Sequence, residues 1–229
     1  MAHVPHLLVD GPWDWPQIAL EEPVIHHLRR VLRRRDGDPV SYTDGRGMTG
    51  TGTLSDASLV RTGDEVVHVR GRTLTLAVAP PAAAARARFI VEKAAELGVA
   101  QLVWLHTRHA QGRPPNPSKA EQWSRGALEQ SRGAWKMDVS GPVGWDLLPP
   151  PLLVATPDGE PWRRIESGLG PALTIAVGPE GGFDRQELPD HAGQVSLSTR
   201  VLRVETAAVV GAALALLPAD LDSSPEMDS

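Results

Sequence analysis

Leu173-Thr-Ile-Ala-Val-Gly-Pro-Glu-Gly-Gly-Phe-Asp184, followed by Gln194-Val-Ser-Leu197 and Ser198-Thr-Arg-Val-Leu-Arg203, is the stretch on which the fold turns. The run Leu173 to Val177 is short, continuous and rich in β-branched residues, as suits a strand covered on both faces of a parallel sheet. The chain then breaks. Pro179 fixes φ and removes a donor, while Gly178, Gly181 and Gly182 permit positive φ and close backbone approach, so this turn can wrap a ligand with main-chain groups. Asp184 caps a following helix, with Glu187 as its capping-box partner. A second strand over 194–197 enters the loop 198–203, after which Glu205 and Thr206 open a helix from Ala207 to Leu217 that is apolar all round and therefore reads as buried. Two loops leaving the carboxyl ends of neighbouring strands form the usual ligand crevice of an open α/β sheet.

The order Gly178-Pro-Glu-Gly-Gly182, then Leu197-Ser198, then Arg200-Val-Leu-Arg-Val-Glu-Thr-Ala207, resembles the cofactor half of the SPOUT methyltransferases and, within them, the RsmE family of 16S rRNA uridine-N3 methyltransferases. The resemblance implies an α/β fold in which a carboxy-terminal SPOUT domain with a deep trefoil knot follows a small PUA-like β-barrel. It also implies S-adenosyl-L-methionine as cofactor, no metal, a homodimer, and 16S rRNA of the small ribosomal subunit as substrate, at one uridine numbered 1498 in the conventional rRNA numbering.

Upstream, the first 78 residues read as short strands over 7–9, 40–43, 49–54, 65–69 and 74–78, with turns at Asp36-Gly37, Asp44-Gly45 and Gly63-Asp64, which makes a small β-barrel the natural expectation. One helix interrupts them. Pro23 suits its first turn, and Val24, Leu28, Val31 and Leu32 fall on one core-facing stripe. Its other faces carry His26, His27, Arg29, Arg30 and Arg33, continuing into Arg34 and Arg35. A basic run of this kind is a solvated face or a phosphate-binding one. His26-His-Leu-Arg-Arg-Val-Leu32, Asp36-Gly-Asp38 and Asp44-Gly-Arg-Gly47 resemble the PUA-like domain of the same family, which implies RNA contacts for Arg29, Arg30, Arg33 and Arg34.

Pro80-Pro-Ala-Ala-Ala-Ala85 marks a composition break, so the expected domains are 1–78, 79–218 and an acidic flexible tail over 219–229. A helix runs from this break to Leu97 and ends at Gly98. Glu92-Lys-Ala-Ala-Glu-Leu-Gly-Val99 matches the family, but where relatives open this helix with a lysine-glycine-acid signature the chain has only Arg86 and Arg88. A strand over 101–105 follows. Ser118 with Glu121 predicts another capping box, starting a helix to about Ser131. Glu129-Gln-Ser131 again resembles the family, with Arg132-Gly133 in place of glycine then arginine. Trp123 and Trp135, without an aromatic platform, read as packing rather than base stacking. After Pro149-Pro-Pro151 a strand over 152–155 empties into Thr156-Pro-Asp-Gly159, a third loop at the same edge.

Composition bounds the rest. The 229 residues include no cysteine, so neither a disulfide framework nor a thiolate metal site is available. No apolar span of membrane length and no amino-terminal apolar signal occur, which points to a soluble cytoplasmic protein. The formal charge of −5 at pH 7 is concentrated in Asp220, Asp222, Glu226 and Asp228 of the tail, leaving the remainder close to neutral and able to carry a local basic patch. There is no Walker phosphate loop, no nucleophile elbow and no zinc spacing.

The expected site follows from the resemblance. Thr156, Gly178, Gly182, Leu197, Ser198, Leu202 and Arg203 enclose the cofactor, Arg203 stabilises the developing uracil anion, and Glu205 positions Arg203 or takes the proton through water. A ribose 2′-O methyltransferase and a non-catalytic RNA-binding assembly factor are the alternatives. Arg203-Val-Glu-Thr206 stands where 2′-O relatives carry serine-leucine-asparagine, and cofactor titration separates the second.

Overall fold

The computed structural model describes residues 4–11, 13 and 16–216; the expected acidic tail over 219–229 lies outside them. The described chain forms two compact units. One takes the chain up to Arg70 and again Gln122–Lys136; the other takes Gly71–Glu121 and the chain from Met137 on.

The first unit is built on strands β1 (His6–Leu8), β2 (Gln17–Ala19), β3 (Pro39–Thr43), β4 (Met48–Ser55), β5 (Ser58–Arg61) and β6 (Val66–Val67). Their order is β1-β3-β4-β5-β2, with β6 on β4, and only β1/β3 is parallel. Among the described residues no ladder joins β1 to β2. Leu7, Leu28, Val40, Tyr42, Leu54 and Leu59 form the core. The Tyr42 hydroxyl donates to Glu65 Oε1 (2.6 Å), and Arg61 Nε donates to the same oxygen (2.7 Å). Residues 132–136 lie against the β3–β4 turn: Gly47 N donates to Ala134 O (2.9 Å) and Lys136 N to Gly45 O (2.8 Å). There Trp135 packs over Gly47, where a Cβ would stand 2.3 Å from the indole, and under the Arg70 guanidinium, 4.5 Å from the ring.

Helix α1 (Glu22–His26) changes pitch and continues as a π-helix over His27–Val31. Leu32 N bonds His27 O rather than Leu28 O. The widened turn rotates the last positions off the expected stripe: Leu28 is buried, but Val31 is 60% and Leu32 37% exposed.

The second unit is a parallel sheet of β7 (Thr73–Val78), β8 (Gln101–Leu105), β9 (Asp138–Val143), β10 (Leu152–Pro161), β11 (Ala172–Val177) and β12 (Gly193–Ser196). The order is β12-β10-β11-β7-β8-β9, all parallel. β7 pairs with β11 and β8 at the centre of this sheet. The expected boundary at residue 78 therefore moves back to about Gly71. The reason is visible in the run Leu74-Thr-Leu-Ala-Val78, which is buried at every position, as a strand covered on both faces must be.

The α-helices after α1 are α2 (Ala84–Glu96), α3 (Pro117–Ser131), α4 (Trp162–Ile165) and α5 (Val204–Leu216). Asn116, not Ser118, caps α3: its side-chain oxygen accepts from Ser118 N at 2.9 Å, and Pro117 takes the first helical position, where its missing N–H costs nothing. α5 packs on α2, β7 and β11. A Cβ at Gly211 of α5 would lie 3.5 Å from Ile175. Ile175 is fully buried there, a contribution of roughly 1.5–3 kcal/mol. Ala176, on the opposite face by alternation, joins Ala77, Val103, Val154, Trp145 and Phe183. α5 is buried along one face only, through Val204, Ala208, Gly211, Ala212 and Ala215, not all round as its composition suggests.

Candidate active site

The β11-to-β12 connection passes over β10, so the carboxyl ends of β10, β11 and β12 open onto one crevice at the point where the strand order reverses. Thr156-Pro-Asp-Gly159 forms its first wall. Ala155 and Glu160 both register against Val195, so the residues between them leave the ladder. Gly159 brings the chain back: a Cβ there would stand 2.5 Å from the Val195 backbone.

The second wall is the turn after β11. Gly182 N closes on Pro179 O (2.9 Å), with Gly182 at φ +74°. Phe183 stacks edge-on against Trp145, with centroids 5.1 Å apart. The expected capping box is present, since Asp184 accepts from Gln186 N and Asp184 N donates to Glu187 Oε1, each at 2.9 Å. The helix it opens is a single 3-10 turn, Arg185–Glu187, and Pro189, two residues on, has no N–H to extend it. Arg108, from the loop after β8, fastens this turn through Nη1 to Asp184 (2.6 Å) and through its backbone N to Glu187 (2.9 Å). The Gln186 backbone N–H, and after it the Arg108 guanidinium, hold the Asp184 carboxyl below its usual range.

The third wall is the segment from Leu197 to Arg203. Ser198 braces it, accepting at O from Ser196 Oγ (3.0 Å) and at Oγ from Arg200 N (3.1 Å). The open cavity between these walls is about 890 Å³, within the range of small-molecule sites. Thr156, Gly178, Gly182, Leu202 and Arg203 line it. Leu197 and Ser198 line an adjoining pocket of about 80 Å³, to which Thr156 and Leu202 also contribute. All seven residues expected around a cofactor are thus on the walls of one continuous region. Thr156 Oγ1 is buried there without a hydrogen-bond partner.

Arg203 is exposed at the crevice and makes no ion pair among the described residues. Glu205 lies behind it and lines neither pocket. Its Oε1 is 3.7 Å from Arg86 Nε, and its Oε2 is buried without a partner. Glu205 is therefore held by Arg86 and not by Arg203. The sequence gives no sign of that pairing, because Arg86 lies on α2 and Glu205 on α5, far apart in the chain; Arg86 also binds Glu180.

The four arginines expected at RNA lie in the first unit and differ among themselves. Arg29 is spent on the fold: its guanidinium bonds Asp36, Asp56 O (2.8 Å) and Arg34 O (3.3 Å), and it holds the Asp36 carboxyl below its usual range. Arg34 is half-buried, whereas Arg30 and Arg33 are exposed.

An all-parallel sheet with a three-loop crevice at its switch point defines an α/β ligand-binding domain, and the comparisons with known proteins give its class. The RNA methyltransferase domain family matches residues 70–216, beginning where the second unit begins. A ribosomal RNA small subunit methyltransferase E from Synechocystis sp. is 31% identical over 231 aligned residues, covering 90% of this chain and 74% of the relative. One of the same name from Rickettsia conorii is 28% identical, covering 82% and 84%. The crystal structure of a ribosomal RNA small subunit methyltransferase E from Neisseria gonorrhoeae, bound to S-adenosyl methionine, superposes with a TM-score of 0.77 at 24% identity, covering 92% of this chain and 96% of that one. The chain belongs to the ribosomal RNA small subunit methyltransferase E family of RNA methyltransferases.

Proposed function

We propose that this protein transfers a methyl group from S-adenosylmethionine to N3 of one uridine of 16S rRNA, at position 1498 in the conventional numbering. The observation that carries the reading is the convergence of Thr156, Gly178, Gly182, Leu197, Ser198, Leu202 and Arg203 on one crevice. The residues fit the cofactor. Apolar Leu197 and Leu202 suit an adenine ring, main-chain groups of the Gly178–Gly182 turn suit its polar edges, and the buried Thr156 Oγ1 has an unmet hydrogen bond to give or take.

Bound there, S-adenosylmethionine supplies an activated methyl electrophile. The chain must supply orientation, a cation for the anion that forms when the uracil imide loses its proton, and a destination for that proton. Arg203, exposed at the crevice and unpaired among the described residues, is the cation for uracil O2 or O4. Glu205, two residues on, is the carboxylate assigned to the proton, with Oε2 its unpartnered oxygen. Arg30 and Arg33 hold phosphates, and the first unit acts as a PUA-like RNA-binding domain.

The passage of β11 to β12 over β10 and the return of α5 to β7 and β11 support a knotted SPOUT topology. Half-buried Val209, Val210, Ala213 and Leu214 on the outer side of α5, with no charge among them, support a homodimer in which a second copy covers that face.

Single-turnover methylation of 16S rRNA and of assembled subunits by the Arg203→Ala variant tests the assignment. The expected result is a loss of about a hundredfold or more in rate, the scale of losing one oxyanion donor, with cofactor and RNA affinities changed much less. Collapse of both affinities with a near-normal rate at saturation would make Arg203 architectural.

A further inference from the structure

We propose that Arg86 is a positioning residue of this site, one cation that holds the two loops on either side of the crevice and orients Glu205. The inference rests on the methyltransferase reading above. Arg86 lies in the first turn of α2, which follows the central strand β7. Its Nη1 donates to Glu180 Oε1 at 3.0 Å, and its Nε lies 3.7 Å from Glu205 Oε1. Glu180 belongs to the Gly178–Gly182 turn and itself lines the cavity; Glu205 lies in the first turn of α5, two residues after Arg203. A single guanidinium thus connects the second and third walls from behind.

The connection does electrostatic work as well as mechanical. Glu205 retains only 16% side-chain exposure, and its Oε2 is sealed from solvent without a donor. A carboxylate in that position loses hydration and needs a compensating charge. The strands packed against α5 provide none, since β7 (Thr73-Leu-Thr-Leu-Ala-Val78) and β11 (Ala172-Leu-Thr-Ile-Ala-Val177) carry no ionisable side chain. On α2, Arg88 pairs with Glu92 and Lys93 with Glu96. Among the described residues, Arg86 is the cation that meets Glu205. The amino-terminal turn of α5 also favours a carboxylate through its unpaired N–H groups. With Oε1 drawn toward Arg86, Oε2 is left as the acceptor for a donor that the fold does not provide.

The geometry requires arginine in particular. Two edges of one planar group address two carboxylates on different loops, whereas a lysine ammonium on a flexible stem holds one position at a time.

The test is a mutant cycle on the full-length protein, reading single-turnover methylation at saturating S-adenosylmethionine and 16S rRNA, cofactor affinity by calorimetry, and thermal melting. Arg86→Gln is expected to lower the saturated rate about tenfold or more without a matching loss of melting temperature, and Arg86→Lys to recover part of that rate. In a Glu205→Gln background, Arg86→Gln should lower the rate little further, because the residue it acts through is already gone. In a Glu180→Gln background, it should change cofactor affinity little further. A normal rate for Arg86→Gln overturns the inference, as do rate losses that simply multiply with those of Glu205→Gln. If Arg86→Gln does not fold, the same cycle with Arg86→Lys decides by the same criterion. Wild-type protein that fails to bind S-adenosylmethionine removes the functional reading itself, a result distinct from an active wild type with a silent Arg86→Gln.

Discussion

Replacing Gly178 with alanine tests how the crevice is walled. A Cβ at that position would stand 2.9, 3.0 and 3.1 Å from three ring carbons of Phe183, whereas ordinary van der Waals contact begins at 3.4 Å. The ring must retreat by about 0.5 Å. It is not free to do so, being set edge-on against Trp145 and packed into the cluster around Ala176 and Val154. Overpacking of this kind costs roughly 1–3 kcal/mol. Phe183 lines the cavity, so a ring that escapes inward occupies ligand space, and the cost is read in cofactor affinity. At about 1.4 kcal/mol per tenfold, the expected weakening is roughly five- to 150-fold. Gly182→Ala is the control. Gly182 sits at φ +74° with nothing within 4 Å of a built Cβ, so its variant bears only the left-handed backbone penalty of roughly 1–2 kcal/mol, and that falls on folding stability. Calorimetric titration with S-adenosylmethionine, beside urea denaturation of each variant, separates the two. Wild-type affinity in a folded Gly178→Ala protein would show that Phe183 retreats without cost to the ligand and does not wall the site.

Five further outcomes are expected. Tyr42→Phe, which leaves Glu65 short of a 2.6 Å hydrogen bond in the first unit, should cost about 1.5–3 kcal/mol in urea denaturation at neutral pH. The Arg61 guanidinium and then the Tyr42 hydroxyl pull the Glu65 carboxyl down to about 2 from 4.5, so its stabilisation is complete above pH 4.5 and lost as pH falls towards 2. Glu65→Gln should accordingly flatten the stability curve in that window, and parallel curves would contradict it. Arg72, which donates to the carbonyls of Leu169, Gly170 and Ala215, ties down the end of α5; Arg72→Ala should lose on the order of 2 kcal/mol by chemical denaturation, and an unchanged midpoint would show the bonds to be idle. Arg132 holds φ +59° at the end of α3, so Arg132→Gly should gain about 1 kcal/mol, reduced by the lost bond to Val4 O, and a loss on thermal melting would show the bond to dominate. In RNA-binding titrations, Arg30→Gln and Arg33→Gln should each lower the salt slope by roughly one counterion. Arg29→Gln should instead be felt in stability, and equal slopes for all three would place RNA elsewhere.

What the sequence reveals here follows from how locally each feature is encoded. The strand at Leu173–Val177, the glycine turn and the Asp184–Glu187 box are written in adjacent residues, and all three stand in the structure. The helix opening at Pro23 is equally local, but its switch to a π-helix at His27 is a choice between competing backbone bonds that no side-chain period announces. β9 escaped detection because Asp138-Val-Ser-Gly-Pro-Val143 is an edge strand with neither an apolar run nor alternation. The Leu74–Val78 run was legible as a strand, but its membership in the parallel sheet depends on pairing with β11, far along the chain. For the site, the positions lining the crevice were legible as motifs. The partner of Glu205 was not, because ion pairing across elements depends on tertiary geometry.

The order of strands in the parallel sheet also governs when the protein can acquire its activity during synthesis. β7, α2 and β8 are consecutive in the chain and can close on one another as soon as they emerge, whereas every wall of the crevice is contributed by residues after Leu152. The first block meets the second along the single ladder between β7 and β11, and α5 then lies back across both strands. A nascent chain that has not yet released Val204–Leu216 lacks the helix that carries Glu205 and covers this junction. The crevice is therefore complete only once the segment from Leu197 to Leu216 has joined the strands made before it.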